Sequence, residues 1–443
     1  MDGLRDVIHP LSGIAPLPQF ELWSVPPTQV SSKNDIQTDV RPLAAVSSSQ
    51  PTEFIITSAM DEYVNMSETY LYIRARVKLS REDKIDPVMA DWDSLLPAQY
   101  FLHAIFSQCE IKIRDKEITL APQTYHYRAY LDALLGFSAD AKRTHLATSM
   151  WSSNAERNEA VRPANDGKEG RWFELMGRLH TDLTFQDKHL LGGVELRIKL
   201  VPNDPKFYFS CNEGLSPTLE IAEAVLKVRK AKIYPSLLAA HNQALADANA
   251  RYAITRTEVR YQGIPRGQLD AILDNVIRGQ MPRRIFVFLV DTQTFNGSYS
   301  KDPFAFRHFD VNFVCAYIDS TQYPSTPYTP DFNENLYAKE FMALYVTLNQ
   351  NRTDTYMDID YRSFAVNNTI FAFDFAPDLS NGPGSSGHVN CLTNGTLRLH
   401  FRFKRQLPSS VNVLVYCEFD SMIEIDRHRN AFTNYKLQIT NCN

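Results

Sequence analysis

The chain has 443 residues, of which 44% are hydrophobic and 22% carry a charge, and its formal net charge at pH 7 is −5. A chain of this length normally divides into two domains of about 200 residues each. Its lysines and arginines are scattered, which excludes the concentrated basic surface of a strong nucleic-acid-binding protein. No apolar stretch approaches the about 18 residues that a membrane-spanning helix requires, so we expect no membrane insertion.

The cysteines and the start of the chain bear on the compartment in which it folds. None of the six cysteines forms a C-x-x-C pair, and Cys315 and Cys417 each lie within apolar alternation, where a free thiol behaves as a small core residue. No apolar run that would mark a secretory signal follows Met1. These features indicate folding in a reducing compartment.

The N-terminal part of the chain is rich in proline, serine and glutamine. Prolines such as Pro26 and Pro27 are incompatible with a helix. Within this part only residues 20–25 alternate in the way that an edge strand does. We therefore predict an extended, partly docked arm over residues 1–35.

The first half of the chain then reads as strands interrupted by one helix. Its apolar residues alternate with charged ones at a period of two. The predicted strands cover residues 71–79, 111–113, 118–120, 173–183, 194–200 and 219–233. A helix is predicted over 124–136, ending at Gly136. The long polar excursion over 137–171 is predicted to be a surface projection or an interaction loop.

The second half repeats this order of elements. The Ala-rich residues 235–250 predict a connecting helix in which Ser236 can act as the N-terminal cap. Strands are predicted at 254–261, 285–290, 311–317, 371–375, 397–403 and 411–419, and the continuous apolar run at 285–290 indicates burial on both faces. A second amphipathic helix is indicated by Leu336, Tyr337, Phe341, Leu344, Tyr345 and Leu348.

This doubled order predicts an all-β chain of two antiparallel sandwiches in tandem, each with a short helix. The predicted division is a first sandwich over residues 36–235, a helical connector over 236–253 and a second sandwich over 254–430. Residues 431–443 are predicted to form a C-terminal tail.

The chain carries no recognisable catalytic motif in the strand–turn–helix context that such motifs need. Asp358 and Asp360 share one face of a predicted strand and could hold a divalent cation, although a solvated loop edge explains them better. The charged cluster at residues 424–429 is typical of surface or inter-subunit ion pairs at a strand end. We therefore expect no enzymatic activity, no cofactor and no metal site.

Five segments of the chain resemble one known family in their order and spacing. They are Trp23-Ser-Val-Pro-Pro-Thr-Gln29, Tyr127-Arg-Ala-Tyr-Leu-Asp-Ala-Leu-Leu135, Phe173-Glu-Leu-Met-Gly-Arg-Leu-His180, Asn296-Gly-Ser-Tyr299 with Pro303-Phe304, and Glu418-Phe-Asp-Ser-Met-Ile-Glu-Ile-Asp426. Together they resemble the major capsid protein of Polinton (Maverick) elements and the related adintoviruses. The resemblance runs from about residue 20 to residue 430.

The resemblance implies a double jelly-roll, with two eight-stranded β-sandwiches side by side in one chain. It also implies a homotrimer of pseudo-hexagonal outline, which would tile an icosahedral shell around a DNA genome. The implied partners are other copies, neighbouring capsomers and penton or minor capsid proteins. The implied location is the virion, after folding in the host cytoplasm and assembly in the nucleus. The chain departs from expectation in having no basic N-terminal arm, which leaves genome packaging to a separate minor protein.

Under this resemblance the candidate assembly contacts lie at the two ends of the fold. The arm would lie under the shell or clasp a neighbouring copy, and the charges after the last strand would pair between subunits. The candidate residues are Trp23, Pro26, Pro27, Gln29, Arg427 and Arg429.

Two other functions stay open from the residues alone. A carbohydrate- or receptor-binding β-sandwich would need an aromatic-lined cleft. A β-sandwich hydrolase would need carboxylates or histidines gathered in one pocket, and the sequence does not bring such a set together locally.

Overall fold

Two β-sandwiches of identical strand order follow one another along the chain. The structure, a computed structural model, describes Leu11 and residues 17–83, 85–119, 123–165, 167–354, 357–382 and 387–433. We number the sandwich strands so that β1–β8 form roll 1 and β9–β16 form roll 2. Each strand of roll 1 then corresponds to the strand of roll 2 whose number is higher by eight.

Roll 1 consists of two four-stranded antiparallel sheets, ordered β1-β8-β3-β6 and β2-β7-β4-β5. Its strands are β1 (Ser32–Val40), β2 (Thr52–Ile56), β3 (Glu62–Arg81), β4 (Phe106–Ile113), β5 (Lys116–Glu117), β6 (Phe173–Arg178), β7 (Leu196–Pro202) and β8 (Leu215–Ile233). A short additional pair joins Leu96–Pro97 to Phe209–Ser210.

Roll 2 has the same two orders, β9-β16-β11-β14 and β10-β15-β12-β13. Its strands are β9 (Ala250–Ile264), β10 (Asp270–Gln280), β11 (Arg284–Asp291), β12 (Val311–Ile318), β13 (Thr321–Tyr328), β14 (Ile370–Asp374), β15 (Asn394–Phe403) and β16 (Val411–Ile425). A last short strand, β17 (Ala431–Thr433), pairs with β16. The expected double jelly-roll of two eight-stranded sandwiches is therefore confirmed.

The helices lie mainly in the connections between strands. They are α1 (Met89–Ser94), α2 (Phe101–Ala104), α3 (Tyr125–Gly136), α4 (Ala139–Arg143), α5 (Asn154–Val161), α6 (Pro205–Tyr208), α7 (Pro235–Asp247), α8 (Thr292–Phe295), α9 (Ala338–Thr347) and α10 (Tyr361–Val366), with 3₁₀ turns at Pro18–Phe20 and His145–Ser149. Helices α3–α5 connect β5 to β6, and α9 and α10 connect β13 to β14. The two helices predicted from periodicity thus occupy the same connection of the two rolls.

Several predicted elements differ from the structure. Residues 20–25 form no strand, because no neighbouring strand of the described chain pairs with them. The excursion over 137–171 contains α4, a 3₁₀ turn and α5, and α5 begins at a capping box in which Ser153 and Glu156 satisfy each other's backbone N–H groups. Ser236 is not the cap of α7, since that helix begins at Pro235 after Tyr234.

The observed boundaries of the rolls also differ from the predicted ones. Strand β1 begins at Ser32, inside the predicted arm, and pairs with β8 although its own residues are mostly polar and exposed. Strand β9 begins at Ala250, inside the predicted connector. Asp358 and Asp360 do not lie on a strand, because Asp360 is the N-cap of α10. Of the predicted tail, residues 434–443 lie outside the described residues.

Buried apolar side chains form two cores. One core fills roll 1 and continues across its contact with roll 2, where it includes Phe286 and Phe288 of β11. The other lies between the two sheets of roll 2 and includes Ile285 and Val287. Since successive residues of β11 enter different cores, the whole run 285–290 is buried, as its sequence predicts.

Candidate functional site

The contact between the two rolls is extensive and consists of packed aromatic side chains and buried hydrogen bonds. Helix α3 of roll 1 lies on the outer face of the sheet β9-β16-β11-β14, and nine of its twelve residues are buried. Tyr127 stacks against Phe295 with ring centroids 5.8 Å apart. Tyr130 stacks against Phe304 at 4.1 Å. Aromatic packing of this kind is worth about 0.5–1.5 kcal/mol per pair beyond the area that it buries.

A series of buried hydrogen bonds crosses this contact. Tyr416 of β16 donates its hydroxyl to Asp132 Oδ1 of α3 at 2.6 Å. The other oxygen of Asp132 lies 3.0 Å from His180 Nδ1. His180 Nε2 lies 2.8 Å from the hydroxyl oxygen of Tyr100. One carboxylate of α3 is therefore bonded to both rolls at once.

Arg128, one turn before Asp132 on α3, forms a second set of hydrogen bonds between the rolls. Its Nη2 donates to Asp182 Oδ1 at 2.6 Å, and its Nη1 donates to the carbonyl oxygen of Thr257 at 3.4 Å. Asp182 Oδ1 also accepts the backbone N–H of Thr257 at 3.1 Å. Strand β9 of roll 2 is thereby held to a helix and a loop of roll 1, which fixes the relative position of the rolls.

The charges in this network are set by burial and by their partners. Burial alone would raise the pKa of Asp132, but the hydrogen bond from His180 and the charge of Arg128 outweigh it and hold that pKa below its usual value. Burial lowers the pKa of His180. A neutral His180 can donate from Nδ1 to Asp132 and accept the Tyr100 hydroxyl at Nε2, so both of its ring nitrogens are paired next to an ionised carboxylate.

The side chains of Asp132, His180 and Tyr100 are the kinds of group that form a catalytic relay. Here, however, they are closed off from solvent. Tyr100 is 2% exposed and His180 is 1% exposed, so a substrate cannot reach either group. Burial also raises the pKa of Tyr100, which keeps the hydroxyl protonated. The arrangement acts as a structural link, and it gives no support to the hydrolase alternative.

A second charged cluster lies beside a cleft of about 770 Å³ between the rolls. Arg283 donates to Glu418 Oε2 at 2.6 Å and to Asp420 Oδ1 at 3.0 Å. Arg284 donates to the same Glu418 oxygen at 2.6 Å. Burial would raise the pKa of Glu418, yet the charges of Arg284 and Arg283 hold it below its usual value. These charges neutralise one another within roll 2, as buried ion pairs must.

The candidate assembly residues of the arm are exposed. Trp23 is 84% exposed, and four other large apolar side chains near it are 65% exposed or more: Phe20, Leu22, Val25 and Val30. Pro26 and Pro27 are exposed as well. Gln29 instead bonds within its own chain, since its side chain accepts from Ser32 N at 2.9 Å and donates to Ser32 O at 3.0 Å.

The two candidate arginines after β16 differ from each other. Arg427 is exposed. Arg429 is only 4% exposed, and its Nε donates to the carbonyl oxygen of Gly192 in roll 1 at 2.8 Å. The guanidinium of Arg429 therefore links the two rolls inside one chain, which corrects the expectation that it faces another copy.

Asp358 and Asp360 lie beside a surface cleft of about 610 Å³ that Phe341 and Tyr345 also line. Asp360 Oδ1 accepts the backbone N–H of Ser363 at 2.7 Å, so it already caps α10. Within the described part of the chain, no three histidine, cysteine or acidic side chains are grouped in a way that could hold a metal ion.

The inter-roll network was not anticipated from the sequence. The apolar residues of α3 predict one buried face, whereas the helix is buried almost all round. The positions of Arg128 and Asp132 could have indicated it. They are four residues apart on a largely apolar helix, so the two charged side chains share one side of that helix. Their partners, Asp182, Thr257 and Tyr416, are far away in sequence, and only the fold identifies them.

No protein-family model matches the chain. An uncharacterized protein of Caenorhabditis elegans, F54H12.2, is 24% identical over 422 residues, which cover 93% of this chain and 99% of that protein. Within the described ranges, none of the helices combines the length and hydropathy needed to cross a bilayer.

Solved structures of viral capsids resemble the chain along nearly its whole length. A chain in the cryo-EM structure of the Sputnik virophage matches with a TM-score of 0.62 at 10% identity, covering 97% of this chain and 94% of that one. The Faustovirus major capsid protein matches with 0.58 at 6% identity, covering 91% and 92%. The mavirus major capsid protein matches with 0.50 at 9% identity, covering 96% of each. The chain therefore shares the double jelly-roll fold of these capsid proteins over more than nine tenths of its length.

Proposed function

We propose that the chain is a major capsid protein whose copies assemble as homotrimeric, pseudo-hexagonal capsomers that tile an icosahedral shell around a DNA genome. The observation that carries this proposal is the pair of jelly rolls with identical strand order, held together by a buried interface. Such a chain is a rigid unit with two similar halves, and three of them present six similar sandwiches. The likeness to several capsid proteins along the whole chain supports the same conclusion.

We propose that the source is a Polinton (Maverick) element or an adintovirus. The five sequence segments that resemble this group support the assignment, as does the full-length relative encoded by an animal, Caenorhabditis elegans. The chain would function in the virion after folding in the host cytoplasm and assembling in the nucleus, with penton and minor capsid proteins as partners. Its net charge of −5 supports a shell role without strong direct binding of the genome.

The exposed arm is the proposed contact between copies. Its apolar side chains, among them Trp23 and Val25, are exposed and are not covered by the part of the chain that the structure describes. Pro26 and Pro27 stiffen the segment that joins them to β1, so less conformational freedom is lost when the arm docks. Arg427 lies exposed just after β16, where it can pair with an acidic group of a neighbour.

Light scattering and negative-stain microscopy of the purified chain test this function. We expect a particle of three times 50.6 kDa, and shells or flat hexagonal sheets at higher concentration. Shell contacts are individually weak and become effective through repetition, so assembly should depend steeply on concentration and salt. A species that stays monomeric at high concentration in several salts would contradict the proposal.

A carbohydrate- or receptor-binding function is the second candidate, and one observation favours it. The surface cleft beside α9 combines two aromatic side chains, Phe341 and Tyr345, with the carboxylates of Asp358 and Asp360. Sugars are often held between aromatic faces and acidic acceptors. A glycan array with the wild-type chain and with Tyr345→Ala tests this function. Binding that is lost in the variant would support it, and the absence of binding to every glycan would reject it.

A further inference from the structure

Strand β9 lies at the edge of its sheet, and roll 1 bonds to part of its open side. The backbone N–H and C=O of Thr257 point away from β16 and bond to Asp182 and Arg128 of roll 1 at 3.1 and 3.4 Å. The carbonyl oxygen of Val259 points the same way and accepts the hydroxyl of Thr124 at 3.3 Å. Around these two residues, side chains of roll 1 therefore occupy the positions at which a further strand would pair.

The last part of β9 lacks this cover. Backbone groups alternate in direction along a strand, so the N–H and C=O of Tyr261 and Gly263 also point away from β16. None of the described residues bonds to these four groups, and Tyr261 and Gly263 are both exposed. A strand edge with unpaired backbone groups is a place where another extended segment can add as a strand.

A cavity of about 490 Å³ lies along this open end of β9. Residues 258–262 of β9 form one wall of the cavity. A bulge of β10 forms another, because the pairing of β10 with β15 shifts between Leu273 and Ile277. The apolar side chains of Leu273, Val276 and Val415 are part of the lining. A partly apolar cavity of this size can hold one large side chain of a segment that pairs with the edge.

The arm of the chain has the pattern of a strand but no strand to pair with. Residues 21–25 alternate, so Trp23 and Val25 would share one face of an extended segment. These two side chains are 84% and 86% exposed. Pro26 and Pro27 would end such a strand, since a proline has no N–H to donate to a sheet. The arm therefore has the features of an edge strand whose partner lies outside its own chain.

We infer that residues 21–25 of one copy add as a strand to residues 259–263 of β9 in a second copy, with Trp23 in the cavity. The added strand supplies partners for the unpaired N–H and C=O groups of Tyr261 and Gly263. A strand of five residues buries less surface than a stable dimer needs, so the contact acts where many copies repeat it. The inference rests on the proposed assembly of copies and names the surface that receives the arm.

The polar groups of the cavity suit this occupant. Glu21 would lie on the same face of the added strand as Trp23. Arg260 lines the cavity, and although it is paired with Glu258, 40% of its side chain is exposed and can meet the carboxylate of Glu21. Glu117 of roll 1 also lines the cavity and can accept the indole N–H of Trp23.

Photo-crosslinking of the full chain tests this contact. The photoreactive residue benzoylphenylalanine replaces Trp23, and in a matched control it replaces Leu43, which is 62% exposed and lies between β1 and β2. Isotope-labelled and unlabelled chains are mixed before assembly, so that mass spectrometry separates crosslinks between copies from those within one copy. We expect the Trp23 probe to join peptides of residues 258–263 or 273–276 in another copy, and the Leu43 probe to join neither.

The outcomes separate this inference from the proposed function. If shells or sheets form while the Trp23 probe joins other regions, the inference is wrong and the capsid function stands. A crosslink to β9 of the same copy also contradicts the inference, because the arm then pairs within its own chain. A chain that stays monomeric at high concentration in several salts contradicts both.

A substitution at the edge provides a second measurement. Gly263→Pro removes an outward N–H and leaves the bonds between β9 and β16 in place, and prolines on edge strands block the addition of further strands. We expect the yield of the Trp23 crosslink between copies to fall by about tenfold. Val276→Trp, which fills the cavity, should have the same effect. An undiminished crosslink in either variant, at an unchanged melting temperature, would overturn the inference.

Discussion

At the scale of single residues, the carboxylate of Asp132 is the point at which the rolls are joined. It is buried, ionised and bonded to groups from both rolls, so its contribution depends on every partner being present. A buried network that loses one partner leaves another polar group unsatisfied, and this loss costs more than the bond contributes on average.

Removal of one hydroxyl tests this role. Tyr416→Phe keeps the ring in place and removes the bond to Asp132, and we expect a loss of about 1.5–3 kcal/mol, since the acceptor is charged. The measurement is urea or thermal unfolding followed by circular dichroism. Tyr317→Phe is the matched control, because the Tyr317 hydroxyl donates to Gln322 within its own hairpin. Equal losses in the free energy of unfolding would show that the inter-roll bond stabilises the chain no more than a bond within one hairpin does.

The buried histidines predict acid sensitivity. Burial lowers the pKa of His126 to about 3, and burial together with His180 holds the pKa of His103 well below its ordinary value. In the unfolded chain these groups take up protons near pH 6.5. The unfolded state then binds more protons than the folded state, so the stability that is present above about pH 6.5 falls as the pH is lowered towards 3.

Melting temperatures between pH 7.5 and pH 4.5 measure this effect. We expect a progressive decrease that begins near pH 6.5, and a shallower decrease in His126→Gln. His428→Gln, which removes an exposed histidine instead of a buried one, is the control. A wild-type melting temperature that is constant down to pH 4.5 would contradict the prediction.

At the scale of elements, the arm is the segment whose role can be separated from folding. Its apolar side chains from Leu17 to Val30 are exposed, and the first strand of the described residues begins at Ser32. Deletion of residues 1–27 should therefore leave the melting temperature nearly unchanged and greatly reduce the formation of shells or sheets, as counted by negative-stain microscopy. Leu269→Ser, an exposed apolar change elsewhere, is the control. Normal assembly of the deletion variant would exclude the arm as a contact.

The strands and helices also show which elements the sequence predicts and which it does not. Alternation predicted β3, β7 and β16, because one or both faces of these strands pack on a core. It failed for β1, whose polar residues carry no alternation and which is specified by pairing with β8. The polar composition of residues 137–171 predicts a loop, whereas the Ser153–Glu156 capping signal marks the actual start of α5. Local patterns identify elements, whereas pairing and burial depend on residues that are distant in sequence.

The same limit applies to the candidate site. Exposure of Trp23, Pro26 and Pro27 agrees with their predicted position on an arm, and their contact with another copy stays a prediction. Arg429 was chosen from a local run of charges, which could not indicate that its Nε bonds to Gly192, 237 residues away. The inter-roll network escaped prediction for the same reason.

At the scale of the whole molecule, the shared core predicts that the rolls unfold together. The core of roll 1 continues onto the outer face of the sheet of roll 2, so unfolding of either roll exposes apolar surface of the other to water. Differential scanning calorimetry should therefore record one transition for the full chain. Roll 2 expressed alone, from residue 250 onward, should bind the dye ANS strongly through the uncovered sheet. Two well-separated transitions would contradict this account.

The hydrogen bond between Tyr416 and Asp132 joins residues that are far apart in sequence, and this separation has a consequence for synthesis of the chain. The two residues are 284 positions apart, and a ribosome that adds about 5–20 residues per second needs roughly 15–60 s to pass from one to the other. Throughout that time the surface of α3 that roll 2 will cover has left the ribosome without its partner. Until roll 2 is made, each new chain therefore exposes apolar surface that is prone to aggregation. Neighbouring nascent copies on one messenger RNA expose the same surface, so association between them competes with folding during this interval.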